Sequence, residues 1–159
     1  MSTIENITKK IIRPSQWETI RTREHYQKVV FTNGCFDLLH RGHITYLAQA
    51  RDLGDCLVVG LNTDASVKRL KGVSRPINRE NDRALLLAAL TSVNYVVLFD
   101  EDTPLQLIRQ ISPDVLVKGG DYAIKDIVGA SIVIEKGGSV QTLPFVNGYS
   151  STNLIHQIK

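Results

Sequence analysis

Two histidines three residues apart, His40 and His43, follow an apolar run and a glycine turn in the stretch FTNGCFDLLHRGH, Phe31 to His43. Val29, Val30 and Phe31 read as a strand ending near Asn33-Gly34, and a helix is expected from about His43 to Leu53. His43 then falls in the first helical turn and His40 one turn earlier. A helix start presents unpaired N–H groups and the positive end of the peptide dipoles. Two imidazole donors added there make a pocket for phosphate oxygens, and Gly42 between them lets a ligand approach the backbone. The plainer alternative is a pair of polar surface residues beside a turn. A zinc pair is a third reading, weakened because no third ligand is nearby and Cys35 and Cys56 form no C-x-x-C.

Other stretches carry groups of the same kind. The connection KRLKGVSRPINR gathers Lys68, Arg69, Lys71, Arg75 and Arg79. Charge runs are usually solvated faces. This one is long for a connection in a compact domain, and Lys71 and Arg75 are expected as mobile phosphate contacts. Ser150, Ser151 and Thr152 open the last expected helix. One hydroxyl suffices for a cap, so Ser151 and Thr152 are candidate phosphate contacts. In KGGD, Lys118, Gly119, Gly120 and Asp121 end a strand. The glycines allow close approach of a ligand and Asp121 accepts from a hydroxyl, although a tight turn uses the same residues. Asp37 either orients a ligand or a histidine at the pocket mouth, or is a turn residue. Asp64 reads as a helix N-cap first and a ligand contact second. Cys35 reads as a small buried residue with no base to activate it.

The elements that must position these groups alternate. KVVFTN, CLVVGLN, YVVLF, DVLVKGG and SVQTLPF are short, apolar and strand-like, and helix-like segments separate them. That pattern gives a Rossmann-like, doubly wound α/β domain with about five parallel strands and helices on both faces. In such sheets ligands sit beyond the carboxyl ends of the strands where the strand order reverses. The first and fourth strands, ending in TNGCFD and KGGD, are expected to flank that crevice. Helix caps are expected at Asn78 and at Thr103, the latter with Pro104 in the first turn and Gln106 completing a capping box. Residues 1–27 read as an N-terminal arm, with WETIRTREHY helical and Trp17 and Ile20 on one face, and residues 28–159 as the domain. Neither G-x-G-x-x-G nor G-x-x-x-x-G-K-[ST] follows the first strand.

The chain has 159 residues, 43% of them hydrophobic and 22% charged, which suits one soluble domain. A net charge of +3 does not point to a nucleic-acid binder. Two cysteines make no disulfide framework. With no signal-like or membrane-length apolar run, the expectation is a cytoplasmic protein with neither membrane nor nucleic acid among its partners.

FTNGCFDLLHRGH resembles the H-x-G-H signature of the cytidylyltransferase-like nucleotidyltransferases. LNTDASVKRLKGVSRPI, LVKGGDY and LPFVNGYSSTNLI extend the resemblance across residues 31–155, nearest to the D-glycero-β-D-manno-heptose 1-phosphate adenylyltransferase branch. The resemblance implies transfer of AMP from ATP to the sugar 1-phosphate with release of pyrophosphate. It implies His40, His43 and Lys71 in catalysis, and Asp64 and Arg75 at the acceptor. Nucleotide contacts are implied for Thr32, Asn33, Gly34, Phe36, Asp37, Gly42, Lys118, Gly119, Asp121, Ser150, Ser151 and Thr152. Magnesium is expected with the triphosphate, although no carboxylate pair marks a protein metal site, and self-association is expected. A cytidylyltransferase acting on glycerol 3-phosphate is the runner-up. Against it, FVNG stands here where that branch has Arg-Thr-Glu-Gly, so Phe145 replaces the arginine and Asn147 the glutamate. A nucleotide sensor without turnover and a metal hydrolase are the rivals from other classes.

Overall fold

The computed structural model describes residues 1–159. Six strands form one sheet: β1 (Ile11–Ile12), β2 (Val29–Gly34), β3 (Cys56–Asn62), β4 (Tyr95–Phe99), β5 (Val115–Gly119) and β6 (Ser139–Leu143). Their order is β1-β4-β3-β2-β5-β6 and every pairing is parallel. Parallel neighbours need crossovers, and helices supply them: α3 (Arg41–Arg51) after β2, α4 (Asp64–Lys71) and α5 (Glu80–Ala88) after β3, α6 (Leu105–Ile111) after β4, and α7 (Ala130–Glu135) after β5. Two helices precede β2, α1 (Thr3–Thr8) and α2 (Trp17–Glu24), and α8 (Ser151–Ile158) closes the chain. From β2 the chain winds outward through β3 to β4, then crosses back to β5 on the other side. The reversal falls between β2 and β5, the two strands expected to flank the crevice.

Alternation along the strands sorts the core into two layers. Val29 and Phe31 of β2 join Trp17 and Ile20 of α2, Leu107, Ile108 and Ile111 of α6, and Val133 of α7 in a cluster of 17 buried residues. Val30 points the other way and joins Leu47 and Ala50 of α3 and Ala84, Leu87 and Ala88 of α5 in a cluster of 14. Both faces of the sheet are therefore covered. This is why its strands read as continuous apolar runs and not as alternating ones.

The first 27 residues contribute to this body directly. Ile11 and Ile12 pair with Val96 and Val97, making β1 a sixth strand that the sequence reading did not anticipate, because two residues carry no periodicity. Lys10 extends its ammonium to the carbonyls of Ala88, the last residue of α5, and of Leu90 and Val93 just past it. Such a cation complements the negative end of the helix dipole. Trp17 is 1% exposed, and its indole N–H donates to the Ile111 carbonyl at 2.9 Å. Its ring lies against Tyr26 and Tyr95.

Two expected caps move. Asn78 does not cap α5. Arg79 is the N-cap residue, with no side-chain cap bond, and the Asn78 side chain turns instead to the Asp37 carbonyl, to which its amide donates at 3.2 Å. Thr103 does not cap α6, and no capping box forms there. Pro104 is the residue before the helix, and no side chain caps it. Removing the Trp17 ring deletes a fully buried aromatic and leaves the Ile111 carbonyl only the longer bond from Arg21, at 3.4 Å. We expect Trp17→Ala to destabilise the whole domain by about 3–5 kcal/mol in urea unfolding, in one transition and not as an arm that detaches alone.

Candidate active site

Beyond β2 the chain turns sharply. Phe36 adopts φ 45°, a left-handed conformation that costs a non-glycine residue roughly 1–2 kcal/mol. The turn carries Asp37 inward. Its carboxylate, 1% exposed, accepts from the Ile77 N–H at 2.9 Å, the Asn78 N–H at 2.9 Å and Arg75 Nε at 2.7 Å. Burial alone would raise this carboxyl's pKa. The two backbone donors and the Arg75 guanidinium outweigh burial and hold it below the usual carboxylate range. Asp37 thus borders the cleft while its carboxylate anchors the basic connection. Arg75, expected as a mobile contact, is tethered here by an ion pair. Its Nε is committed to Asp37, and only its terminal nitrogens remain for a ligand.

Arg83 lies under the same connection, and the sequence reading did not single it out. Its side chain is fully buried. It donates to the carbonyls of Cys35, Asn62 and Asn78 and to Asp64 Oδ1, each at 2.8–2.9 Å. The available signal was its spacing. Arg83 stands one helical turn before Leu87, on the face of α5 that packs inward. This ion pair also relocates Asp64. It is neither the N-cap of α4, which is Thr63 accepting from the Ser66 N–H, nor on the cleft wall, because Arg83 holds it.

The reading of α3 is met in its geometry. His40 is the N-cap, with its Nδ1 accepting from the His43 N–H at 3.3 Å. That bond places the proton of a neutral His40 on Nε2, making Nε2 a donor. The His43 ring stacks on it, with centroids 3.8 Å apart and planes 18° from parallel. Phe36 closes the other side of His43 edge-on at 5.1 Å. A Cβ on residue 42 would come within 2.9 Å of the His40 ring and 3.2 Å of the Tyr149 Cβ, so Gly42 is required by packing. Burial first, and the neighbouring imidazole second, push the His43 pKa down to about 4, and burial lowers His40 as well. His43 Nδ1 is buried with no hydrogen-bond partner.

These residues border an open cleft of about 850 Å³. Asn33, Gly34, Phe36, Asp37, His40, Gly42 and His43 line it from the β2–α3 side, and Lys71 and Arg75 from the basic connection. Lys118 and Gly119 line it from β5, and Ser150, Ser151 and Thr152 from α8. Tyr46, Asn62, Phe99, Phe145 and Tyr149 also line it, and none of these was read from sequence as a site residue. Three expected contacts do not reach the wall. Thr32 is fully buried with its hydroxyl 2.6 Å from the Tyr46 hydroxyl. Asp121 is exposed outside the lining, and Asp64 is held by Arg83. Of the α8 hydroxyls, Ser150 caps the helix through the Asn153 N–H. Ser151 donates to the Leu38 carbonyl at 2.7 Å, which ties α8 to the turn before α3. Thr152 is exposed on the cleft. Arg69 faces away, paired with Asp100 and Asp102. Cys35, expected to be buried, is half-buried and borders the cleft, and burial raises its thiol.

The depressed imidazole has a consequence for stability. Between about pH 6.5 and about pH 4 the unfolded chain binds a proton at residue 43 that the folded chain does not. Stability is therefore full above that window and falls as pH drops through it, with His40 acting in the same direction. Urea titrations at about pH 7.5 and about pH 5 should differ by roughly 1–2 kcal/mol from His43 alone. His43→Asn should remove that part of the difference.

The family described as cytidylyltransferase-like matches residues 31–157. The chain is 57% identical over 154 residues to the bifunctional protein HldE of Campylobacter concisus, an alignment covering 97% of this chain and 32% of that protein. It is 60% identical over 138 residues to bifunctional protein HldE of Citrifermentans bemidjiense, covering 86% and 28%. The chain thus spans about a third of the length of these relatives. Among solved structures it resembles the lipopolysaccharide core biosynthesis protein of Thermoplasma volcanium. The TM-score is 0.60 at 32% identity, over 77% of this chain and 98% of that one. Pantothenate synthetase of Thermus thermophilus, at TM-score 0.61 and 18% identity, shares the fold. With the family matched over all but the N-terminal segment and the last two residues, and with its H-x-G-H histidines stacked at the switch point of the sheet, the chain belongs to the cytidylyltransferase-like family.

Proposed function

We propose that the protein transfers the adenylyl group of ATP to D-glycero-β-D-manno-heptose 1-phosphate, giving ADP-heptose and pyrophosphate. The observation that carries this reading is the stacked His40–His43 pair at the start of α3, inside a cleft bordered by Lys71, Arg75 and Lys118. The likeness to the HldE proteins supports the choice of nucleotide and sugar.

A phosphate oxygen of the sugar attacks the α-phosphorus of ATP. The bond from that phosphorus to the bridging oxygen breaks, and pyrophosphate leaves with the electron pair. The second pKa of a phosphate monoester is about 6, so the nucleophile is already anionic and needs no general base. Catalysis then consists of bringing two anions together and stabilising charge on the equatorial oxygens. His40 offers its Nε2–H, and both imidazoles are neutral near pH 7, so they act as donors and not as fixed charges. Arg75, pinned through Nε, presents its terminal nitrogens to the acceptor phosphate. Lys71 reaches the cleft from the C-terminal turn of α4. Thr152 contacts the triphosphate, while Ser150 and Ser151 shape the turn that carries it.

The cleft offers no cluster of three acidic or imidazole ligands for a metal. Its carboxylates, Asp37 and Asp102, are paired with Arg75 and Arg69. Magnesium would therefore come with the triphosphate and would supply positive charge at the phosphates.

Pyrophosphate release should need ATP and the heptose 1-phosphate together. A screen of ATP and CTP against sugar and polyol phosphates tests this. Turnover of CTP with glycerol 3-phosphate instead, or tight ATP binding with no release for any acceptor, would overturn it. His40→Ala and His43→Ala should each lower kcat by about 10²–10³, as loss of one oxyanion donor does, with ATP binding weakened far less. Arg75→Lys cannot hold Asp37 and reach the ligand at once. It should raise KM for the sugar phosphate about tenfold and KM for ATP less, in steady-state kinetics.

A further inference from the structure

Tyr46 has no part in the chemistry above, yet it occupies a singular place. Registered pairing between β2 and β5 ends at Phe31 with Leu116. On the outer sides, β2 stays paired with β3 as far as Gly34, and β5 with β6 as far as Gly119. The sheet therefore parts after Phe31 and Leu116, and Thr32 and Val117 are the first residues beyond the fork. The Tyr46 hydroxyl bridges them. It lies 2.6 Å from Thr32 Oγ1 on β2 and donates to the Val117 carbonyl on β5 at 3.3 Å. Thr32 then donates to the tyrosine oxygen, so one relay of hydrogen bonds spans the fork.

The other end of this residue reaches the histidines. Tyr46 is one turn along α3 from His43, and residues at that spacing share a helix face. Both line the cleft. A Cβ on Gly119 would meet the tyrosine ring at 3.4 Å, so the ring also lies against the far lip. Burial raises the phenol to about 12, so near neutral pH it is a neutral donor and takes no proton from a reacting group.

We propose that Tyr46 is a positioning residue. Its hydroxyl sets the separation of β2 and β5 at the fork, and α3 passes that setting to His43 and His40. The catalytic part of this inference rests on the proposed adenylyl transfer. A small misplacement of transition-state donors costs rate steeply, while ground-state binding, spread over many contacts, changes little.

The test compares the wild-type protein with Tyr46→Phe, which keeps the ring, and Thr32→Val, which keeps the branched shape. In pyrophosphate release, each variant should lose about tenfold in kcat with KM for ATP changed less than twofold. The double variant should lose no more than the worse single one, because both act through one relay. A merely structural role would lower the melting temperature and leave kcat of the folded protein unchanged. A second readout needs no turnover: the NMR titration of His43 in each protein. Tyr46→Phe and Thr32→Val should move the His43 titration midpoint, because the ring's packing depends on where α3 begins. If wild type turns over and the variants keep full kcat, the inference is overturned. If wild type releases no pyrophosphate with any acceptor, the function reading fails. The positioning claim then stands or falls on whether the His43 titration moves.

Discussion

A parallel sheet whose chain winds outward on one side and then on the other must open between its two central strands. Here that opening lies between β2 and β5, and the rest of the molecule is organised around it. Strands that separate leave backbone groups without partners, and buried polar groups without partners are costly. Those groups must meet side chains, solvent or a ligand. The fork is thus both a short-paired seam of the sheet and the natural seat of a ligand. The start of α3, Gly119 at the end of β5 and the hydroxyl-bearing start of α8 all converge on it.

Charge is distributed with the same economy. The proposed transfer brings two phosphorylated molecules into the cleft and so calls for positive groups, but unpaired cations crowded at one place repel each other. The chain divides its basic residues by task. Arg83 is fully buried and holds loops from below. Arg75 is half committed, with one nitrogen on the buried Asp37 carboxylate. Arg69 is spent on two surface aspartates. Lys71 remains exposed at the cleft. The imidazoles are neutral near pH 7, so they add donors without adding to the repulsion.

Much of this was legible in the sequence because it rests on local pattern. Five strands, the direction of winding and the placing of the histidines follow from apolar runs, glycine turns and helix starts. What stayed hidden depends on contacts between distant segments. Asp37 looked like a turn or mouth residue because its partners are about forty positions away. The α5 cap falls at Arg79, while the Asn78 side chain turns to Asp37. Thr32 and Tyr46 each read as ordinary element residues, and only the packing of α3 across the fork brings their hydroxyls together. Asp64 looked available until Arg83, a charge inside a helical face, was seen to claim it.

The two-residue strand β1, with Lys10 pinned across the last carbonyls beyond α5, borders β4 at one side of the sheet. An uncovered strand margin is a template on which another polypeptide can add itself. By laying its own N-terminal segment there, the chain occupies that template intramolecularly for Val96 and Val97. The margin of the sheet on that side is thereby reduced to two residues, a stretch too short to be recognised as a strand at all.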